Sequence, residues 1–422
     1  MSTPLERTTF SVSRAADFLD VRALESQTGQ SRSRFGDVVI KELLDNALDA
    51  CETTGAAPEV TLSVETAGGT QRVTVEDNGA GIPATVVARI LDYSTLTSDK
   101  ALYRSPCRGA QGNALKTVIG IPHALGITGP VIIETQGVRH EITVSLDLAG
   151  NVKVGHEEAD SPRTAGTLVT VPLPAGLEFD AWKWVRGYAL VNPHATFTVS
   201  NRADGDDEVY KATAQDGFRK PLPTDPTSPH WYDAAAFTRL IGSLAALGDD
   251  RPVGGFIREF RGLSGSAKAK QVAAGVPGIS RITDVEESSS AELLRRMRWA
   301  SSEPGPAVLG QVPAAHYQDL LDDIYGVDRF WYAHRGIVHN GVAWHIEVAV
   351  ADTLGAGEVI FATNYGVTFG DPLGGTGLET GEVWAEGARS FLAGCDAAPG
   401  ASNGHYRAAV VHVTCAAPVF LD

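Results

Sequence analysis

A chain of 422 residues with 43% hydrophobic content is long enough for two or three domains with sizeable cores. Its formal net charge of −16 argues against a general nucleic-acid coat protein, though not against DNA contact through a local basic patch. Cys51, Cys107, Cys395 and Cys415 lie far apart with no C-x-x-C pair, and no signal-peptide pattern or run of about 18 apolar residues occurs, so a reducing cytoplasm is expected and a membrane span is not.

Residues 1–35 are polar with scattered apolar positions such as Phe10, Phe18 and Leu19, and read as an N-terminal arm. Lys41–Ala50 predicts a helix, since Leu43, Leu44, Ala47 and Leu48 are good helix formers and no Gly or Pro interrupts. On that helix Glu42, Asn46 and Asp49 stand at i, i+4 and i+7 and share a face. A carboxamide between two carboxylates suits a hard cation that wants oxygen ligands, plus a base for a water. Glu59–Val64 and Gln71–Val75 alternate as paired strands would. The second runs into Asp77-Asn78-Gly79-Ala80-Gly81, where glycines let the backbone turn tightly and approach a ligand. An Asp at a strand end can accept a hydrogen bond from an exocyclic amine such as that of adenine. Taken alone, the stretch is also simply a turn. Ala84–Leu91 predicts a short helix.

From Tyr93 the chain is polar and lid-like. It then passes through Arg108-Gly-Ala-Gln-Gly112 into a helical stretch, Asn113–Ile119. A glycine turn at a helix N-terminus offers free N–H groups and a positive dipole end to phosphates. It is not a P-loop, because Leu115 and not Gly precedes Lys116. Ile132–Asp147, Val152–His156, Gly166–Val171 and Ala195–Ser200 read as strands and Ala181–Val191 as a helix, which makes 36–205 one α/β sandwich. Residues 206–233, with Pro221, Pro223, Pro226 and Pro229, read as a linker. Residues 234–305 read as helical and carry Arg258, Arg261, Lys268, Lys270, Arg295, Arg296 and Arg298, which fit either a solvated face or phosphate contacts. Residues 306–422 read as a second α/β domain, with strands at Phe330–Ala333, Ala343–Val350, Val359–Thr363 and Ala408–Cys415. The chain stops shortly after the last strand without a closing helix, as a cut would leave it.

Glu42, Asn46, Asp49 and Ala50 match E-x-x-x-N-x-x-D-A, and Asp77, Gly79 and Gly81 match D-x-G-x-G, in order and spacing. Together they resemble the ATP-binding fold shared by gyrase B, the heat-shock chaperone, histidine kinases and the mismatch-repair ATPase. The layout of ATPase, helical insert and second α/β domain is similar to the B subunit of topoisomerase VI. Ser98, Lys100, Arg108, Gly109, Gln111 and Gly112 match that family's lid segment. The insert resembles its helix-two-turn-helix domain in size and position. Trp344–Ala351, Phe361–Asn364 and Val410–Phe420 follow the order of its transducer. The resemblance implies an α+β chain with a Bergerat-type sandwich, a helical insert and a transducer-like domain.

It implies ATP and Mg²⁺, with Glu42 as the base and Asn46 as the metal ligand. Asp49, Asp77, Gly79, Gly81, Ser98, Lys100, Arg108, Gly109, Gln111, Gly112 and Asn113 would hold the nucleotide. Thr167 would support Asp77, although a buried strand threonine fits that position equally. Partners implied are a second copy on ATP binding, embraced by the N-terminal arm, and a separate DNA-cleaving A-type subunit, with DNA reached through the complex. The place implied is the cytoplasm or its nucleoid. Two departures stand out. Ala114 replaces a family glycine, and no lysine follows Lys270, so the switch lysine that the family's transducer sends to the γ-phosphate has no candidate. A signalling or defence ATPase, a chaperone-like clamp and a histidine kinase remain as alternatives.

Overall fold

The computed structural model describes residues 14–93, 103–108, 114–201, 206–214, 218–355, 357–370 and 406–417. The first α-helix, α1 (Val21–Thr28), follows a 3₁₀ turn at Arg14–Phe18 and starts where the Asp20 carboxylate accepts the Ala23 N–H at 2.9 Å, an N-cap that satisfies one orphan donor. Phe18, Leu19 and Leu24 are buried, so this part of the expected arm packs on its own domain. The helix predicted over 41–50 is longer, α2 (Phe35–Thr54), because apolar residues Val38, Val39 and Ile40 extend its buried face toward the N-terminus.

After α2 come β1 (Glu59–Ala67), β2 (Thr70–Asp77), α3 (Ala84–Ile90), α4 (Ala114–Ala124), β3 (Val131–Thr135), β4 (Val138–Leu146), β5 (Val152–Asp160), β6 (Thr167–Pro174), α5 (Ala181–Val191), β7 (Thr196–Asn201) and β8 (Asp206–Tyr210). The stretch Ile132–Asp147, expected as one strand, is the hairpin β3–β4. Gln136 and Gly137 both take positive φ, 48° and 82°, as a tight hairpin turn requires. All eight strands form one sheet in the order β5-β4-β3-β6-β2-β1-β7-β8, in which β1 and β7 are parallel and the other pairs antiparallel. Its edge strand β8 lies in the stretch expected as linker. Helix α2 packs on β1, β2 and β6, with α4 and α5 as helical neighbours.

Helices α6 (Ala234–Ala246), α7 (Val253–Ile257), α8 (Ser266–Ala274) and α9 (Glu287–Trp299) enclose a separate core around Trp231, Phe237, Phe256, Phe260, Leu293 and Met297. A further helix, α10 (Ala314–Tyr325), is absent from the expected elements; Pro313 at its N-cap opens it. A second sheet follows, built from β9 (Val327–His339), β10 (Val342–Thr353), β11 (Val359–Thr363), β12 (Gly366–Val367) and β13 (Tyr406–Cys415), in the order β12-β11-β13-β10-β9.

Helix α5 belongs to both sheets. It touches β7 and β1 of the first and β11 and β12 of the second, as well as α10. A Cβ on Gly187 would stand 2.9 Å from Val367 Cγ2, so the small residue is what lets the second sheet seat there. One apolar core runs from Val185 and Tyr188 into Ile360, Tyr365, Val367 and Val410 without a break. Among the described residues, no helix is long and apolar enough to cross a membrane.

Candidate functional site

Asp77 ends β2 and pairs in register with Thr167, the first residue of β6. Its Oδ1 accepts the N–H of Gly79 at 2.8 Å and of Thr167 at 3.2 Å. The Thr167 side chain is buried beside Asp77, and its hydroxyl favours the charged carboxylate. Burial pushes the Asp77 carboxyl up to about 6, against the two N–H groups and Arg163, which favour its charged form. The glycines that follow are demanded by contact. A Cβ on Gly79 would lie 2.8 Å from the Ala50 backbone, which explains why a small residue closes the α2 motif. Gly81 has φ 79°, and its Cβ would meet Thr135 Oγ1 at 2.7 Å. That hydroxyl accepts the Ile82 N–H at 2.7 Å and holds the turn to the β3–β4 corner. Asn78 fastens the other side, accepting from Cys51 Sγ and the Glu59 N–H at 3.0 Å each.

Helix α2 presents two polar faces where the sequence suggested one. Asn46 is exposed, and the Glu42 side chain, 24% exposed, stands 3.4 Å from Lys41 Nζ. Asp49 belongs instead to a second row, Asp45, Asp49 and Glu52, also at i, i+4 and i+7. That row is buried against Arg108, whose guanidinium lies 3.2 Å from Asp49 Oδ1, 2.7 Å from Glu52 Oε2 and 3.7 Å from Asp45 Oδ1. Arg108 also donates to Asn192 Oδ1 and the Tyr365 carbonyl at 3.3 Å each. Both Asp49 and Arg108 were expected at the nucleotide; here each is committed to an interior ion-pair web that reaches the second sheet. The physical reason is that a buried carboxylate row demands a matching cation.

Lys220, Lys41, Tyr188 and His194, whose Nε2 lies 3.0 Å from Glu52 Oε1, complete the web. Lys220 Nζ lies 2.6 Å from Glu52 Oε1 and over the Tyr365 ring, and burial with Arg108 nearby brings it down to about 8. Burial works against the ionised Glu52, yet Arg108 and Lys220 hold it well below the ordinary carboxylate range. Lys41 Nζ lies 3.0 Å from Asp45 Oδ2, and Tyr188 donates to Asp45 Oδ1 at 2.7 Å. The acidic i, i+4, i+7 row was a readable signal of this web. Its partners come from far along the chain, and no spacing rule reveals them.

Within the described end of the lid segment, residues 103–108, Tyr103 and Arg104 are fixed to the helical domain and its leading loop. Tyr103 donates to Glu259 at 2.7 Å, the Arg104 N–H to Tyr232 at 2.7 Å, and Thr227 to the Arg104 carbonyl at 2.7 Å. Ser98, Lys100, Gly109, Gln111, Gly112 and Asn113 lie outside the described residues. Lys116 is buried and donates to the Asp92 carbonyl at 2.6 Å. Of the basic residues in the helical insert, Arg295 and Arg296 pair with Glu292, and Arg258, Lys268 and Arg298 donate to carbonyls of their own domain or its leading loop.

Residues 36–176 match the family described as histidine kinase-, DNA gyrase B-, and HSP90-like ATPase. The B subunit of type 2 DNA topoisomerase 6 from Archaeoglobus fulgidus is 25% identical over 341 residues, covering 74% of this chain and 54% of its own length. Its counterpart from Natronomonas pharaonis is 30% identical over 341 residues, covering 75% of this chain and 40% of its own. The chain thus spans about half, or less, of the curated relatives it matches. Among solved structures, the 43K ATPase domain of Thermus thermophilus gyrase B in complex with an aminocoumarin covers 94% of this chain and 76% of that one, at 17% identity and a TM-score of 0.32. The strand-end Asp77, its glycine turn and the α2 motif on the same sheet all lie within residues 36–176, the segment that matches the histidine kinase-, gyrase B- and HSP90-like ATPase family, and about three quarters of the chain is similar in sequence to type 2 DNA topoisomerase 6 B subunits.

Proposed function

We propose that this chain is an ATP-hydrolysing clamp that dimerises on nucleotide binding and works with a separate DNA-cleaving subunit. The observation that carries the reading is Asp77: a buried carboxylate with one oxygen held by two N–H groups, beside the buried Thr167 side chain, at the mouth of a glycine turn. That arrangement fits a flat amine-bearing base such as adenine. The separate cleaving subunit rests on the relatives, whose names make them the B component of a DNA topoisomerase.

In this reading Asp77 accepts the adenine amine, and Thr167 supplies the buried hydroxyl next to it. Gly79 and Gly81 keep the turn free of side chains. Asn46, exposed on α2, offers its amide oxygen to Mg²⁺, and Glu42 one turn away orients and polarises the attacking water. Bound magnesium would neutralise charge on the phosphates. Arg108 positions rather than binds: it ties α2 to the Tyr365 loop, so a shift of one moves the other. Positioning and electrostatics carry most of the rate in phosphoryl transfer, and closure of lid and dimer is the expected slow step.

Light scattering with saturating non-hydrolysable ATP analogue and Mg²⁺ tests the clamp. The wild-type mass should double and that of Asp77→Asn should not, because an amide donor would face the adenine amine. An unchanged wild-type mass would count against the proposal. A second reading, the same clamp acting on a partner other than DNA, is favoured by the internal use of most basic side chains in the insert. Turnover that duplex DNA leaves unchanged would support it.

Asp77 also gives a pH signature. Its folded carboxyl, near 6, lies above the ordinary aspartate value, so the proton it holds contributes stability below about pH 4 and that contribution is lost as pH rises through 6. Adenine recognition needs the ionised form and runs the other way. Adenosine, which carries no titrating phosphate, should bind progressively more weakly as pH falls below 6. Calorimetric titrations between pH 5 and 8 check this, and a flat profile would remove Asp77 from base recognition.

A further inference from the structure

The hairpin β4–β5 at the open edge of the first sheet carries a cluster unrelated to the nucleotide site. His140 faces Glu158 across the ladder, and His156 faces Ile142 one step along, so His140, His156 and Glu158 share one side of the hairpin. His140 Nδ1 lies 2.9 Å from His156 Nε2 and 3.4 Å from Glu158 Oε1, and the latter two atoms are 3.7 Å apart. We propose that His140, His156 and Glu158 form a binding site for a borderline divalent cation of the zinc class.

The geometry decides for a metal over a chance grouping. The circle through the three atoms has a radius of about 2.0 Å, and zinc binds His nitrogen and carboxylate oxygen at about 2.0–2.2 Å. A tetrahedron of that bond length has ligand edges of about 3.3–3.6 Å, and the three distances bracket it. One cation just above the triangle therefore meets all three atoms at normal bond length, leaving one corner for water. Two imidazoles and a carboxylate suit zinc, nickel or cobalt and not calcium or magnesium, which prefer oxygen alone.

The surroundings agree. The two rings are nearly parallel, 22° apart, and meet nitrogen to nitrogen, where they can share a single proton at best. The His140 ring is fully buried, and burial followed by the neighbouring His156 lowers its affinity for a proton, leaving the neutral ligand form. Glu158 is 54% exposed and His156 22%, so an ion reaches the site from solvent. His140 Nε2 is buried without a partner, whereas metal-bound histidines ordinarily donate that N–H to a second group. A modest affinity is expected, not that of a structural zinc finger. Bound metal would cross-link the edge strand β5 to β4.

The test uses the untagged 422-residue protein and zinc alone. Calorimetric titration should find one equivalent bound, with a rise in melting temperature. His156→Ala and Glu158→Ala replace accessible residues on an edge strand, so the fold should persist, as circular dichroism would verify. Each should weaken zinc binding by roughly 100-fold or more, since losing a ligand costs more than the 10–100-fold of losing a ligand's partner. No zinc uptake by the wild type at 100-micromolar-order concentrations (about 10⁻⁴ M) would overturn the site. So would either variant binding zinc as tightly as the wild type.

Discussion

Replacing Arg108 with methionine is expected to lower folding stability by about 3–5 kcal/mol, a large share of what a domain has. The guanidinium serves Asp45, Asp49 and Glu52 at once, from a side chain only 2% exposed. Methionine fills the volume but removes the guanidinium that the three carboxylates share, while Lys41 stays beside Asp45 and Lys220 beside Glu52. The loss should depend on pH in a defined direction. Glu52 is held far below its ordinary value by Arg108 and Lys220, so its contribution is fully present above the unfolded carboxylate range, begins to fade as pH falls below that range and is lost as pH falls through the depressed folded value. The gap between variant and wild type should therefore be wide at pH 7.5 and narrower at about pH 3.5, below the ordinary carboxylate value, where Glu52 in the unfolded chain takes up its proton. Urea unfolding at both pH values measures it. A difference under about 1 kcal/mol at pH 7.5 would mean that the web behaves like a surface pair and not a buried one.

Glu42→Gln should reduce ATP turnover by roughly 100- to 10,000-fold while nucleotide affinity changes little, if Glu42 is the base for the attacking water. Glutamine keeps the shape of the side chain and its place on α2, but cannot take up a proton. Asn46 one helical turn on, and Asp77 at the strand end, are untouched, so binding retains its anchors. The contrast with Arg108 is useful. Loss of the arginine should show in unfolding, whereas loss of Glu42 should leave unfolding almost unmoved, because its side chain is partly exposed and stands 3.4 Å from Lys41. Single-turnover hydrolysis alongside equilibrium binding separates the two quantities. Near-wild-type turnover in Glu42→Gln would move the base elsewhere.

Local rules carried the sequence reading as far as local rules reach. Helix α5 was legible end to end, because apolar residues recur at helical spacing between Asp180 and Asn192, and its Asp180 side chain caps the Lys183 N–H. The Asp77 turn was legible because its glycines answer to nearby sterics. The β3–β4 corner was not, since Gln136 takes a left-handed backbone that ordinarily marks glycine or asparagine. Helix α10 was lost among the proline-rich residues before it, although Pro313 sits where a proline opens a helix. Asp49 illustrates the deeper limit. At i+7 from Glu42 and i+4 from Asp45 it fits two faces equally. What decides is Arg108, 59 residues away in sequence.

Because α5 is roofed by one sheet and floored by the other, the two α/β units have no seam at which to part. Val367 and Ile360 seat against Gly187, His316 meets the Ala189 carbonyl at 3.0 Å, and Asn192 donates to the Tyr365 carbonyl at 2.9 Å. On heating, these units should melt as a single cooperative block, while the helices around Trp231 and Phe256, with a core of their own, are free to melt separately. A fragment ending after β7 would keep α5 yet strip the apolar cover from its far side. Such a fragment would carry a sticky stripe in place of an interior, and its insolubility would say nothing about whether the ATPase fold itself is sound.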